Sequence, residues 1–264
     1  MAISIFLMNP IVPFYQKHAD ALFSVLTDKS SDMGREHLER LTESLRAISV
    51  LLKVLKYLHE AYLPQTCHRR KLLQLLEHAE HSGDMYMQAD NLEKNAEASG
   101  MDLDYLQQYA LRLATQNLDE LKTYLADFDI SYWREYGEWL IESVREDDPA
   151  AAIQQIGAYT LVKVKKSLKR LKKKKPGAGN YLKLRRKLIV LGFLLEMLRY
   201  EKHHYGDLQQ RLMEDSRSLE VWYSQWMGLK TIGHYKKDHP ELACRYNGTL
   251  EILKDYMQQK ISSV

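Results

Sequence analysis

Residues 161–195 read LVKVKKSLKRLKKKKPGAGNYLKLRRKLIVLGFLL, and this stretch sets both the fold class and the charge pattern. Apolar residues recur every three or four positions on both sides of Pro176–Gly179, which is the spacing of amphipathic helices. Proline and glycine interrupt helices, so we predict two helices joined by a turn at this segment.

The predicted helical hairpin carries a concentrated positive charge. Between Asp148 and Glu196 the chain has 13 lysines and arginines and no acidic residue. The formal charge of the whole 264-residue chain is only +3, so the remainder of the chain is net acidic. Concentrated like charge destabilises a compact state through self-repulsion. We therefore expect something negatively charged to bind this part of the protein.

Working outward from the hairpin, helical spacing of apolar residues continues from about residue 14 to about residue 261. No run of alternating β-branched residues is long enough for a sheet, so the sequence predicts an all-α fold. The second half also resembles the first. An offset of 143 aligns LRRKLIVLGFLLEMLRY (184–200) with LTESLRAISVLLKVLKY (41–57), with six identical residues. An offset of 136 aligns Glu220 with Asp84.

This internal repeat predicts two tandem, pseudo-symmetric helical bundles of about four helices each. We place the first bundle at residues 1–130 and the second at residues 131–264. An aromatic helix at residues 131–146 opens the second part and connects the two bundles.

Composition indicates a globular protein in a reducing compartment. The chain is 45% hydrophobic and 28% charged, which is enough apolar material for a sizeable core. Its two cysteines cannot form a disulfide framework. The apolar N-terminus is too short to span a bilayer, is interrupted by Pro10 and Pro13, and lacks the basic start of a signal peptide. We expect a cytoplasmic protein with no membrane partner.

The cations of the hairpin predict a binding surface for a polyanion. On the first helix they flank the apolar stripe, so they can line a groove between helices. Arginine binds phosphate oxygens in pairs and lysine acts as a point charge. We predict polyanion binding by Lys163, Lys166, Lys169, Arg170, Lys173, Lys183, Arg185 and Arg186, with Arg46 and Lys53 of the first half as secondary residues.

Three alternatives remain open at this level. Residues 172–175 can be a solvated helix end, where lysines interact favourably with the helix dipole. The basic hairpin can dock an acidic protein, with the aromatic helix 131–146 mediating self-association. Non-specific nucleic-acid binding is disfavoured, because the acidic remainder of the chain would repel a duplex.

No pattern of catalytic, metal-binding or cofactor-binding residues is evident. His78 and His81 are spaced for a shared metal, but histidines on a helix surface are far more common than such sites. Glu80 and Asp84 are interpreted as ordinary surface charge. The chain has no glycine-rich phosphate loop and no nucleophile elbow. We therefore expect a binding protein that is not an enzyme. A phosphohydrolase stays open as an alternative, and it would need a metal-binding carboxylate cluster that the sequence does not reveal.

Residues 14–260 resemble the CHAD domain family, which has two similar four-helix halves around a basic central channel and binds inorganic polyphosphate. In the family, the second helix of each half begins His-x-x-Arg and continues as a basic, leucine-rich run. YLKLRRKLIVLGFLLEML (181–198) is similar, with Arg185 at the arginine, and LRAISVLLKVL (45–55) carries Arg46. QRLMEDSRSLEVW (210–222) resembles the Arg/His-Asp-Leu-Asp-Val element of the third helix. In the first half, His81–Met85 resembles the same element more weakly. The resemblance implies polyphosphate binding and a location at polyphosphate granules.

The chain departs from the family pattern at several inward positions. The resemblance therefore implies that the positive charge of the channel is concentrated in the second half. The family histidines fall on Leu182 and Glu39, the first-half arginine falls on Thr42, and inward cations are replaced by Ile189, Val190 and Gly192.

Overall fold

A computed structural model describes residues 9–28, 33–99, 103–145, 147–171, 178–198 and 206–241, together with residues 248, 251, 252, 254 and 255. Within these residues the chain is all-α, as predicted, and contains no strand. A short 3-10 turn, Glu60–Tyr62, is the only described helical element that is not an α-helix. The α-helices are α1 (Ile11–Thr27), α2 (Arg35–Leu58), α3 (Thr66–Ser99), α4 (Asp104–Ala126), α5 (Ile130–Arg145), α6 (Pro149–Leu171), α7 (Ala178–Leu198) and α8 (Gly206–Asp238).

Aspartate side chains fix the starts of the two helices in the middle of the chain. Asp129 Oδ1 accepts a hydrogen bond from the Tyr132 backbone N–H at 2.9 Å, at the first turn of α5. Asp148 Oδ1 accepts one from the Ala150 N–H at 3.0 Å, and Pro149 occupies the first position of α6. A carboxylate at this place satisfies an unpaired amide and complements the helix dipole.

The helices follow the predicted two-part plan. α1 packs on α2, α2 on α3 and α3 on α4, while α6 packs on α7 and α7 on α8. The two sets meet where α3 contacts α8 and where α2 contacts α6 and α7. One continuous apolar core contains buried residues from both sets. The exact boundary between the two parts, residues 130 and 131, stays a prediction.

The connector helix α5 lies against α1. Tyr15 Oη donates a hydrogen bond to the Trp133 carbonyl at 2.8 Å, and Asn9 Nδ2 donates one to the Val144 carbonyl at 3.1 Å. Gly137 allows the close approach, since a Cβ atom there would lie 2.5 Å from both Cε1 and Oη of Tyr15. The aromatic face of α5 is therefore largely occupied within the chain.

None of the helices in the described ranges is both long and apolar enough to cross a membrane.

An ion-pair cluster joins α1 to α7. Glu196 Oε1 of α7 accepts a hydrogen bond from Lys17 Nζ at 2.6 Å and lies 3.1 Å from His18 Nε2. Partial burial alone would raise the pKa of Glu196, but the hydrogen bonds from His18 and Lys17 outweigh it and lower this pKa to about 2. The ionised carboxylate therefore stabilises the contact between the two halves.

Glu196→Gln should make the protein less stable near neutral pH and leave its stability unchanged in strong acid. A carboxyl whose pKa falls on folding stabilises the folded state above its unfolded pKa, near 4.5, and loses that effect as pH falls towards 2. We would measure the free energy of unfolding of both proteins from about pH 7 to about pH 2. A difference between them that stays constant over this range would contradict the role of the carboxylate.

Candidate functional site

Two arginines, one from each half, lie in a cleft between the halves. Arg46 of α2 and Arg185 of α7 line the same cavity of about 360 Å³. Arg46 Nε donates to Glu80 Oε1 of α3 at 2.6 Å, and Arg185 Nε donates to Glu220 Oε1 of α8 at 2.9 Å. Each ion pair joins the same pair of matching helices, α2–α3 or α7–α8, but the offset of 143 aligns Arg185 with Thr42, so the two arginines are not at equivalent positions of the repeat.

Asp84 connects these two ion pairs across the halves. Tyr223 Oη of α8 donates a hydrogen bond to Asp84 Oδ2 of α3 at 2.5 Å. The Arg185 guanidinium carbon lies 3.9 Å from the centroid of the Tyr223 ring, which is a cation–π distance. We call these six residues the acid–arginine cluster: Arg46, Glu80, Asp84, Arg185, Glu220 and Tyr223.

Opposite charges within the acid–arginine cluster act against the effect that desolvation has on each ionised group. The pKa of Asp84 is raised, because desolvation outweighs the Tyr223 hydrogen bond and the charges of Arg185 and Arg46, which lower it. Desolvation alone would lower the pKa of Arg185, but Glu220 and Asp84 together raise it. Both arginines are thus engaged by carboxylates of the protein itself.

A second cavity, of about 630 Å³, adjoins the cluster. Glu80 and Asp84 line both cavities, so these carboxylates lie where the two cavities meet. Arg186 lines the second cavity, together with His78 and His81. The described residues include no group of three or more His, Cys, Asp or Glu side chains that could hold a metal ion.

A second group of cations lies where α2 contacts α6. The Tyr57 and Tyr159 rings are 4.9 Å apart there, and Lys163 Nζ lies 4.5 Å from the centroid of the Tyr159 ring. Desolvation lowers the pKa of Lys53, the nearby charge of Lys163 lowers it further, and Glu80 partly opposes this shift. Among the described residues no carboxylate forms an ion pair with Lys53. We call Lys53 and Lys163 the lysine pair.

The structure thus brings together four of the ten predicted residues, in two pairs from different halves: Arg46 with Arg185, and Lys53 with Lys163. Lys166, Lys183 and Arg186 are exposed to solvent. A role in binding stays a prediction for all ten residues. The side chains of Lys169 and Arg170 and the whole of Lys173 lie outside the described residues.

The interpretation of Asp84 as surface charge was wrong, because Asp84 is partly buried and bonded to Tyr223. A signal for it existed in the sequence. The offset of 136 aligns Asp84 with Glu220, and both carboxylates act on Arg185, which lines the cleft. Tyr223 had no such signal, since its equivalent position in the first half is Met87.

Comparison with known proteins identifies the fold. The structure is similar to the crystal structure of the CHAD domain from the plant Ricinus communis, with a TM-score of 0.76 and 13% sequence identity. The match covers 100% of this chain and 90% of that chain. No family model and no curated protein matches the sequence. The chain therefore has a CHAD-like, all-α fold, and the predicted resemblance is confirmed at the level of the fold.

Proposed function

We propose that this protein binds inorganic polyphosphate or a similar polyanion and does not act on it as an enzyme. The observation that carries the proposal is the lysine pair, in which two cations from different halves meet where α2 packs on α6. Like charges held together destabilise the fold, and a bound phosphate group would offset this repulsion. The CHAD-like fold supports the same ligand class, since the family is one that binds polyphosphate.

The lysine pair lies at one end of a row of cations on α6. Lys166 follows Lys163 by three positions, which is the spacing of neighbours on one helix face. A ligand with many negative groups in line would contact these cations in turn. Each contact would release counterions, so the affinity should fall steeply as salt rises.

Titration of the purified protein with long-chain polyphosphate at about 50 and about 200 mM salt tests the proposal. With four phosphate contacts, we expect the affinity to fall by about 50-fold to 150-fold between these concentrations, and by more if further contacts are made. Duplex DNA should compete weakly, because the acidic remainder of the chain repels it. Absence of binding even at the lower salt concentration would overturn the proposal.

Two further arms of this experiment separate the remaining alternatives. Polyglutamate that displaces polyphosphate at equal charge concentration would favour the docking of an acidic protein, because the lysine pair fits carboxylates as well as phosphates. Chain length of the polyphosphate, measured on a gel after incubation with the protein, should stay constant. Shortened chains would show an enzyme and contradict binding without catalysis.

A further inference from the structure

An exposed tyrosine ring lies beside the lysine pair. Tyr57 of α2 is 52% exposed, and the centroid of its ring lies 4.9 Å from that of Tyr159 on α6, with 42° between the ring planes. Tyr159 is half-buried and packs against the main core, so it supports the more exposed ring. An aromatic face is therefore held at the surface where α2 contacts α6.

The two tyrosines and the lysine pair are arranged in two levels. Tyr57 follows Lys53 by four positions on α2, and Tyr159 precedes Lys163 by four positions on α6. Residues four apart are neighbours on one helix face, so each helix presents one ring and one ammonium group. The rings pack together at one level, and the charge of Lys163 acts on Lys53 at the next. One helical turn, about 5.4 Å, separates the two levels.

We call these four residues the ring–lysine platform. It is separate from the cleft between the halves. The described residues that line the 360 Å³ cavity of the cleft comprise four carboxylates and three arginines among others, and they do not include Tyr57 or Tyr159.

The two levels match the two parts of a nucleotide. Exposed aromatic side chains stack on nucleobases, and lysines bind phosphate groups as point charges. In a nucleotide a single ribose joins the base to the first phosphate group, which is a separation comparable with one helical turn. Inorganic polyphosphate contains no ring and would leave Tyr57 unused.

The contacts already made by the two lysines are compatible with a bound phosphate group. Lys163 Nζ lies 4.5 Å from the centroid of the Tyr159 ring, but an ammonium group has three N–H donors and one such contact does not occupy them all. The charge of Glu80 acts on Lys53, and the charge of Lys163 has the larger effect.

We propose that the ring–lysine platform binds a nucleoside polyphosphate, with the base stacked on Tyr57 and the phosphate groups on Lys53 and Lys163. This inference rests on the proposed function and deepens it, because it names the class of polyanion as a phosphate chain that ends in a nucleoside. A purine should bind more tightly than a pyrimidine, because its larger face covers more of the tyrosine ring.

ATP and inorganic tripolyphosphate are the probes that test the inference, because each has three phosphate groups and only ATP has a base. We would measure the affinity of the whole chain for both by isothermal titration calorimetry, without divalent cations and at about 50 mM salt, where phosphate contacts are strong. The readout is the ratio of the two affinities. Comparing this ratio between variants cancels the difference in charge between the probes.

Tyr57→Ala should weaken ATP binding by about fivefold to 150-fold, which is the usual contribution of one stacked base. Its affinity for tripolyphosphate should change little, so the ratio should fall by the same factor. Tyr57→Phe keeps the ring and should keep the wild-type ratio. If Tyr57→Ala does not fold, Tyr57→Leu retains an apolar contact with Tyr159 and removes the aromatic face.

A matched variant removes an exposed ring elsewhere. Tyr124 of α4 is 39% exposed, and α4 has no extensive contact with α2 or α6 among the described residues. Its ring stacks on that of His78 with 4.2 Å between centroids. Tyr124→Ala should leave the ratio of the two affinities at its wild-type value.

The outcomes separate the inference from the proposed function. If wild type binds long-chain polyphosphate and Tyr57→Ala changes the affinities for ATP and tripolyphosphate alike, the inference is overturned and the function stands. If ATP binding depends on Tyr57 and long-chain polyphosphate does not bind, the platform is supported and the assignment to inorganic polyphosphate is overturned. Failure of all three ligands to bind overturns both.

Discussion

The variant Lys53→Glu, Lys163→Glu, Lys166→Glu is expected to bind polyphosphate at least about 100-fold more weakly than wild type at about 100 mM salt. Each reversal removes a phosphate contact and adds a repulsive charge, and about 1.4 kcal/mol per contact is tenfold in affinity. The slope of log affinity against log salt should also become shallower by about 2, because three fewer phosphate contacts release counterions. Folding should be preserved, since the Lys53 and Lys166 side chains are exposed and the loss of the contact between Lys163 and the Tyr159 ring costs only about 0.5 to 1 kcal/mol.

The control for this variant reverses the same number of charges elsewhere. Lys94 of α3, Lys122 of α4 and Lys237 of α8 are exposed and lie on helices that have no extensive contact with α6 among the described residues. Their reversal to glutamate should weaken binding only by the long-range change in net charge, which salt screens. Equal losses of affinity in both triple variants would mean that net charge, not the lysine pair, determines binding.

Gly137→Ala is expected to lower the free energy of unfolding by about 1 to 5 kcal/mol, after subtraction of the gain in helix propensity. The new Cβ atom would lie 2.5 Å from both Cε1 and Oη of Tyr15, closer than atoms can pack, so either the Tyr15 side chain or the helix must move. Overpacking of a buried contact costs about 1 to 3 kcal/mol. Loss of the hydrogen bond from Tyr15 to the Trp133 carbonyl adds about 1 to 3 kcal/mol, because a buried hydroxyl is left without a partner.

Gly192→Ala serves as the control for helix propensity. No atom lies within 4 Å of a Cβ placed at Gly192 of α7, and alanine is favoured over glycine in a helix by about 0.5 to 1 kcal/mol. This variant should be as stable as wild type or more so in urea unfolding. A Gly137→Ala protein with wild-type stability would show that α5 does not depend on its close approach to α1.

Sequence periodicity was sufficient to predict the helices. Apolar residues at helical spacing predict the helices, and breaks such as Pro176–Gly179 predict the turns between them. Both predictions succeed because spacing and breaks are local properties of the chain. The cations Arg46, Lys53 and Arg185 could be singled out in the same way. Each lies in a basic, leucine-rich helix whose counterpart is found in the other half.

Contacts between distant helices could not be predicted in this way. Spacing shows that Glu80 and Asp84 share one face of a helix, but not that this face meets Arg46 and Arg185. Likewise, Gly137 is an ordinary helical glycine in the sequence, and only packing reveals that Tyr15 occupies the space beside it. The acidic character of the cleft is therefore a property of the tertiary structure and contrasts with the basic channel that the family resemblance implies.

The lysine pair also has a consequence for the lifetime of the protein. Lys53 and Lys163 belong to helices that separate when the chain unfolds, so a polyanion held by both would bind only the folded protein. Such a ligand at about 100 times its dissociation constant would add about 2.7 kcal/mol to the free energy of unfolding. Because proteases remove unfolded chains, the abundance of this protein in a cell would rise and fall with the supply of its polyanion.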